Sequence, residues 1–445
     1  MISAVPVDFP DSALEAEVLD NLERVEEALL ATAHLDEELL TEASRHLMAA
    51  GGKRFRAMLV LLAAQFGDPG DPRVIQAAVA IELTHLATLF HDDVMDEAEV
   101  RRGHPSVNSR WNNSVAILAG DFLFAEASRI LADLGPEAIR IQAETFGRLV
   151  AGQMAETVGT RPGQDPLDHY MRVITEKTGS LIATAGRFGA MFAGAPAEVS
   201  ARIGAACEQI GVAWQLSDDV IDIASDSAQS GKTPGTDLRQ GVRTLPVLYA
   251  LRSVGQAGAA PSAADSRLRW LLGEADLTDE ALLAETLRLL RGHPALAESR
   301  ADVLAWAQGA RNEIMALPDV PARAAFLALC DFVEKRTGLR RAGRNSVRPP
   351  VVERRGGGRD GDIRLTQDAA GKPGPGAAGA VAGDAGGPAA RGARFAAGPA
   401  VPAGHRGRRV RARLLLGGGE DVLADPRRGV DLRRLRGRVH AQPDL

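Results

Sequence analysis

Two aspartate-rich pentapeptides, Asp92-Asp93-Val94-Met95-Asp96 and Asp218-Asp219-Val220-Ile221-Asp222, each close an apolar stretch with helical spacing, far apart in the chain. No other feature constrains the fold as strongly. Carboxylates at the end of an apolar helix are costly without a partner. At 3.6 residues per turn, Asp92 and Asp96 share one helix face, as do Asp218 and Asp222. Like charges at that spacing repel, so the pattern calls for a cation between them. Hard oxygen donors with no nearby cysteine point to magnesium, which combines one or two carboxylates with substrate phosphates. A solvated acidic helix end explains one such motif but is a poor account of a matched pair.

The remaining pattern is helical and Ala- and Leu-rich up to about Gly338. Ser12, with Glu15 three residues on, reads as a capping box for a first helix reaching toward His34. A second helix is predicted to end at Gly51-Gly52 and a third to start near Phe55. Asp71-Pro72 reads as cap and first turn of a long helix ending in the first acidic motif. Further helices are predicted over 120–134, 136–158, 166–192 and 197–224, then from near Thr244 to about Arg336. No strand alternation stands out. The reading is an all-α catalytic domain over residues 1–338, with central helices carrying the acidic motifs.

From residue 339 the composition changes to Arg, Gly, Ala and Pro with one aromatic, Phe395. That tail carries 22 Lys and Arg against 10 Asp and Glu, leaving 30 basic and 48 acidic residues before it, so the net charge of −6 joins an acidic body to a basic tail. Such a tail cannot bury enough apolar surface to offset its ordering entropy, and disorder is expected over 339–445. It lacks interleaved aromatics and any nucleic-acid-binding module, which argues against a nucleic-acid partner. Cys207 and Cys330 are the only cysteines, so neither a disulfide framework nor a thiolate metal site is expected, in keeping with the cytoplasm. No signal-peptide pattern opens the chain, and no uninterrupted apolar run reaches membrane-spanning length.

Cations complete the pattern. Gly51-Gly52-Lys53-Arg54-Phe55-Arg56 sets three of them at a glycine turn, and Arg101-Arg102-Gly103 sets two more just past the first acidic motif. Basic groups among carboxylates and glycine turns suit a polyanionic ligand with a bridging metal. The Gly-, Ser- and Thr-rich loop over 225–241, which holds Lys232, suits a mobile lid.

With these segments, and with His85 through Asp96, Gly120-Asp121, Glu176-Lys177-Thr178, Gln215 through Asp222 and Gly231-Lys232 in order, the chain resembles the trans-isoprenyl diphosphate synthases, or polyprenyl synthetases, over roughly residues 20–338. The resemblance implies an isoprenoid-synthase helical bundle around a deep apolar cavity, usually a homodimer, and a magnesium-dependent condensation of isopentenyl diphosphate with an allylic diphosphate. It implies Asp92, Asp96, Asp218 and Asp222 as metal ligands, the last directly or through water. Lys53, Arg56, His85 and Arg102 fall on the isopentenyl diphosphate side. Arg101, Lys177, Thr178, Gln215 and Lys232 fall on the allylic side, with Lys177 and Lys232 acting on the leaving group. By itself His85 would read as a satisfied core histidine; its place in the family pattern makes it a site residue.

Two positions depart from the pattern. The family's proline after the first basic motif is Ala57, and a lysine often found before Thr-Leu-Pro is replaced in Gly241-Val242-Arg243-Thr244. Small residues at Ala87 and Thr88, with Thr84 and Ile81 deeper on similar faces, resemble the long-chain members, whose product serves quinone side chains such as that of menaquinone. Phe122, Phe124 and Ile130 are then candidates for the cavity floor, and packing of Ala87 and Thr88 against a neighbouring helix is the competing account. Release of a long apolar product implies peripheral membrane contact. A terpene cyclase is disfavoured because its second motif mixes Asn, Ser and Glu. A non-catalytic subunit is disfavoured because both acidic motifs are intact.

Overall fold

The computed structural model describes residues 9–34, 37–49, 51–225, 234–256 and 262–338, with the backbone of Val351–Val352 and Leu365–Thr366. Helices α1 (Ser12–Thr32), α2 (Glu38–Ala49), α3 (Phe55–Ala64) and α4 (Pro72–Met95) lead to a hairpin, β1 (Val100–Arg101) and β2 (His104–Pro105). There follow α5 (Val107–Arg110), α6 (Asn113–Leu134), α7 (Pro136–Val158), α8 (Pro166–Ile174), a π-helical turn (Thr175–Gly179), α9 (Ser180–Phe192) and α10 (Ala197–Ala224). The described C-terminal part adds α11 (Thr236–Arg239), α12 (Leu245–Gln256), α13 (Ala263–Gly273), α14 (Glu280–Gly292), α15 (Pro294–Met315) and α16 (Pro321–Arg336).

Local chemistry sets these limits. Asp71 accepts from the Arg73 amide at 2.9 Å and Pro72 opens α4, as its sequence indicates. At α1 the cap is Asp11, not Ser12: its carboxylate takes the amides of Ala13 at 2.8 Å and Leu14 at 3.0 Å, leaving Ser12 inside the first turn. The helix expected over 166–192 is interrupted by the π turn, a device that re-aims side chains and recurs at functional sites. Strands are also present, though very short. Arg102 and Gly103 both have positive φ, and this two-residue turn closes β1 on β2. Val351–Val352 pairs antiparallel with Leu365–Thr366. The rest of the tail, with its expected disorder, lies outside the described residues.

Two apolar clusters meet along α10. Its first half (Ile203, Cys207, Ile210) packs with the N-terminal helices, α6, α7 and α9, and its second half (Val212, Leu216, Val220) packs with α8 and α12 to α15. Helix α4 packs on α3, α6 and α9. By length and mean hydropathy α4 alone among the described residues could cross a membrane, although polar residues interrupt it, and 67% of its most apolar window is buried inside the fold. Its apolar character is that of a core helix, and each fully buried Leu or Phe on it contributes about 1.5–3 kcal/mol. Both cysteines are buried thiols.

Candidate active site

The C-terminal end of α4 presents Asp92 half-buried and Asp96 exposed at the helix cap. Burial pushes the Asp92 carboxyl up, as do the neighbouring charges of Asp96 and Glu156, while Lys177 and Arg101 pull it down. Lys177 comes from the π turn, where it pairs with Glu156 at 2.5 Å, whereas its neighbour Glu176 turns to Arg148 at 2.6 Å. Local negative charge is in excess around Asp92. Hard oxygen donors with negative charge in excess fit a divalent cation. Among the described residues no three metal-ligating side chains converge, so Asp92, Asp96, Asp218 and Asp222 are not gathered into one metal cluster.

Asp93, which the sequence reading passed over, faces inward and holds Arg101, at 2.6 Å to Nε and 2.5 Å to Nη2. The other carboxylate oxygen of Asp93 is buried without a partner, and burial pushes its carboxyl up. The middle residue of the motif thus anchors the hairpin that carries Arg101 and Arg102. Close by, α6 reaches α4 at Gly120: a Cβ there would lie 2.4 Å from Nε2 of His91 and 3.2 Å from the Ala87 carbonyl oxygen. Asp121 then stands 3.4 Å from Nε2 of His91, so the Gly-Asp pair serves close approach and a polar contact.

The basic cluster forms where the turn before α3 meets the hairpin. Lys53 is exposed; Arg56 and His85 are half-buried. Arg102 donates to the carbonyls of Leu47, at 3.0 Å, and Gly51, and its guanidinium lies so close to Gly52 that a Cβ there would be 3.0 Å from Nη1. Burial lowers the Arg56 and Arg102 pKa values, and neighbouring guanidiniums lower them further. His85 is pushed well down by burial and then by Arg56 and Arg102, so its imidazole is neutral. The Nε of Arg56 is buried with no hydrogen-bond partner. This is a site short of anions.

Arg54, the third cation of the turn, has a different task. It sits at φ +44° with its side chain 1% exposed, bonded to Glu26 at 2.6 and 2.8 Å. Arg54→Met should cost about 3–5 kcal/mol, since it strands the buried carboxylate of Glu82 and leaves the partly exposed Glu26 unpaired. Urea unfolding checks this, and a loss below about 1 kcal/mol, the scale of an exposed pair, contradicts it.

The second acidic motif divides its residues among different partners. Asp218 pairs with Arg336 at the end of α16, whose guanidinium lies over the Trp214 ring at 4.4 Å. Trp214 also meets Phe55 at 4.8 Å, so one aromatic stack joins this motif to the basic turn. Asp219 is buried and accepts from Tyr170 and from Gln215 at 3.1 Å; burial pushes its carboxyl up to about 7. Gln215 therefore faces Asp219. Asp222 accepts from the amides of Thr236 at 3.1 Å and Asp237 at 3.2 Å, which seats α11. Thr178 is half-buried in the π turn. Lys232 and residues 226–233 of the expected lid lie outside the described residues. Arg336, Tyr170 and Trp214 left no motif to find, because their roles depend on long-range packing.

Ala87 is buried where α6 approaches α4, while Thr88 is half-buried and bonds the His85 carbonyl at 2.8 Å. One turn deeper, Thr84 accepts from Nε2 of Gln142 on α7 at 2.7 Å. Of the floor candidates, Phe124 packs on Phe146 at 4.3 Å between centroids and Ile130 is buried. A separate cavity of about 720 Å³, lined by Ile141, Thr145, Arg148, Thr184 and Glu208 among others, includes none of the residues assigned from the sequence.

Residues 37–274 match the polyprenyl synthetase family. The chain is 50% identical over 334 residues to nonaprenyl diphosphate synthase of Mycobacterium tuberculosis, an alignment covering 75% of this chain and 97% of that protein. The chain belongs to the polyprenyl synthetase family. It is also 42% identical to a dimethylallyltranstransferase of the same organism, over 74% of this chain and 98% of the relative. Its fold matches the crystal structure of geranylgeranyl pyrophosphate synthase from Corynebacterium glutamicum complexed with calcium and isoprenyl diphosphate, at TM-score 0.66 and 45% identity, over 74% of this chain and 99% of that one. Family membership makes this polyprenyl synthetase a prenyltransferase with an all-α fold.

Proposed function

We propose that this polyprenyl synthetase is a magnesium-dependent enzyme that condenses isopentenyl diphosphate with an allylic diphosphate, repeatedly, to a long all-trans polyprenyl diphosphate for a quinone side chain. The observation that carries the reading is a pair of complementary sites. One, around Asp92, has excess negative charge; the other, around Arg56 and Arg102, is short of it. Resemblance to the nonaprenyl enzyme supports the long product.

Lys53, Arg56 and Arg102 hold the diphosphate of isopentenyl diphosphate, with neutral His85 offering a hydrogen bond rather than a charge. Asp92, Asp96, Asp218 and Asp222 face the allylic diphosphate, and magnesium held by them would stabilise its negative charge as it leaves. Lys177, Lys232 and Arg101, the last positioned by Asp93, neutralise the same charge, with Thr178 and Gln215 on that side. Charge that grows in the transition state is where fixed cations stabilise most. The allylic carbon becomes cationic in a site closed to water, the double bond of isopentenyl diphosphate attacks it, and a proton leaves to the departing diphosphate. The chain supplies position, electrostatics and dryness. Incorporation of labelled isopentenyl diphosphate into an allylic product tests the reading; no incorporation with any allylic primer in magnesium overturns it.

Exposed Ile117, Leu118, Ile139, Val150, Met154 and Val158 form apolar faces on α6 and α7, which suit a homodimer interface. The enzyme works in the cytoplasm, with peripheral membrane contact to release its apolar product. Its catalytic domain ends near residue 338, so deleting 339–445 should leave turnover and melting temperature nearly unchanged. A large loss of either shows that the tail belongs to the working fold.

A further inference from the structure

A buried glutamate, Glu82, stands beside the basic cluster without having been assigned to either site. It lies on α4, one turn before His85, in an otherwise apolar stretch, and is 2% exposed. Its Oε1 accepts from the Ala57 amide at 3.1 Å, and its Oε2 lies 3.7 Å from Nη1 of Arg54. That amide needs a partner, because Arg54 precedes α3 at positive φ and offers no side-chain cap. Helix α4, whose last turn carries Asp92, therefore caps the helix that begins with Phe55 and Arg56.

The charge matters as much as the cap. Glu82 is the carboxylate whose field opposes the loss of positive charge at both Arg56 and Arg102, while Glu26 acts on Arg102 and Arg54. Buried guanidiniums crowded together with no carboxylate would be costly whenever the anion is absent. With a carboxylate beside them, the empty site is tolerable and the bound diphosphate is held less tightly. A prenyl chain that grows by repeated condensation needs that diphosphate site to be refilled.

We propose that Glu82, with Glu26 behind it, is the buried counter-charge that sets how tightly the basic cluster holds a diphosphate, its capping of α3 being a separate, structural role. This rests on the function proposed above. Its test is the binding of inorganic pyrophosphate to the full chain without metal, a condition in which the acidic site repels the probe.

Glu82→Gln keeps an acceptor for the Ala57 amide and removes the charge. Its dissociation constant for pyrophosphate should fall about fivefold, the scale of one partly screened charge in a protein. The KM for isopentenyl diphosphate should fall with it, while the KM for the allylic substrate stays put. Ala57→Pro removes the donor and leaves the charge, and α3 tolerates proline in its first turn. Pyrophosphate affinity should then stay within about twofold of the parent, since the local field is unchanged.

Unchanged or weaker pyrophosphate binding by folded Glu82→Gln overturns the proposal. If that variant does not fold, Glu26→Gln, at a partly exposed position, should tighten binding in the same direction but less; no tightening there overturns it equally. A parent protein that shows these pyrophosphate dependences yet incorporates no isopentenyl diphosphate refutes the function and leaves the counter-charge standing.

Discussion

Asp92→Ala and Asp218→Ala should each cut turnover by about a hundredfold or more, the scale of losing a strong electrostatic stabiliser of a leaving group. Neither should unfold the protein. Asp92 already stands against the charges of Asp96 and Glu156, so its removal relieves repulsion as it removes the attraction of Lys177. Asp218 leaves behind Arg336, which remains stacked on Trp214 and partly exposed. Steady-state turnover at saturating magnesium, with melting curves alongside, separates the effects. Near-normal turnover in either folded variant removes that carboxylate from the reaction.

Ala87→Phe should convert a long product into a short one while keeping the first condensations. The proposed path for the growing chain runs from Asp92 down α4 past Thr88 and Ala87 toward Thr84 and Ile81. A benzyl group at Ala87 would block it one turn below the reacting end. Ala87 is 1% exposed, so the ring also enters packed space, at a cost of about 1–3 kcal/mol. Product sizing by chromatography reads the outcome. An unchanged ladder from a folded variant shows that Ala87 only packs against α6, the contact already visible at Gly120.

Much of the architecture was legible because helical signals are local. The limits of α7 and α10 follow from Pro136, Pro196 and the Gly and Ser residues that end them, and Asp71-Pro72 marks the start of α4. The π turn was not legible, since its five residues carry ordinary helix-compatible side chains. Division of labour within the motifs was also hidden. Lettering alone makes Arg54 and Arg56 equivalent cations, yet pairing with Glu26 makes the first structural, while Arg56 lacks a partner for its Nε. Asp92 and Asp93 look alike until helix rotation turns one toward Lys177 and the other toward Arg101. Glu82 offered one hint, a lone charge in an apolar helix, but its partners come from segments remote in sequence.

The central claim is repeated, metal-dependent chain elongation. It is tested most directly by incubating the purified full chain with magnesium, labelled isopentenyl diphosphate, and farnesyl or geranylgeranyl diphosphate, then sizing the dephosphorylated products. The account predicts a ladder ending in a long polyprenyl chain that disappears when the metal is chelated. Products that stop after a single condensation, or a ladder that persists in chelator, would contradict it.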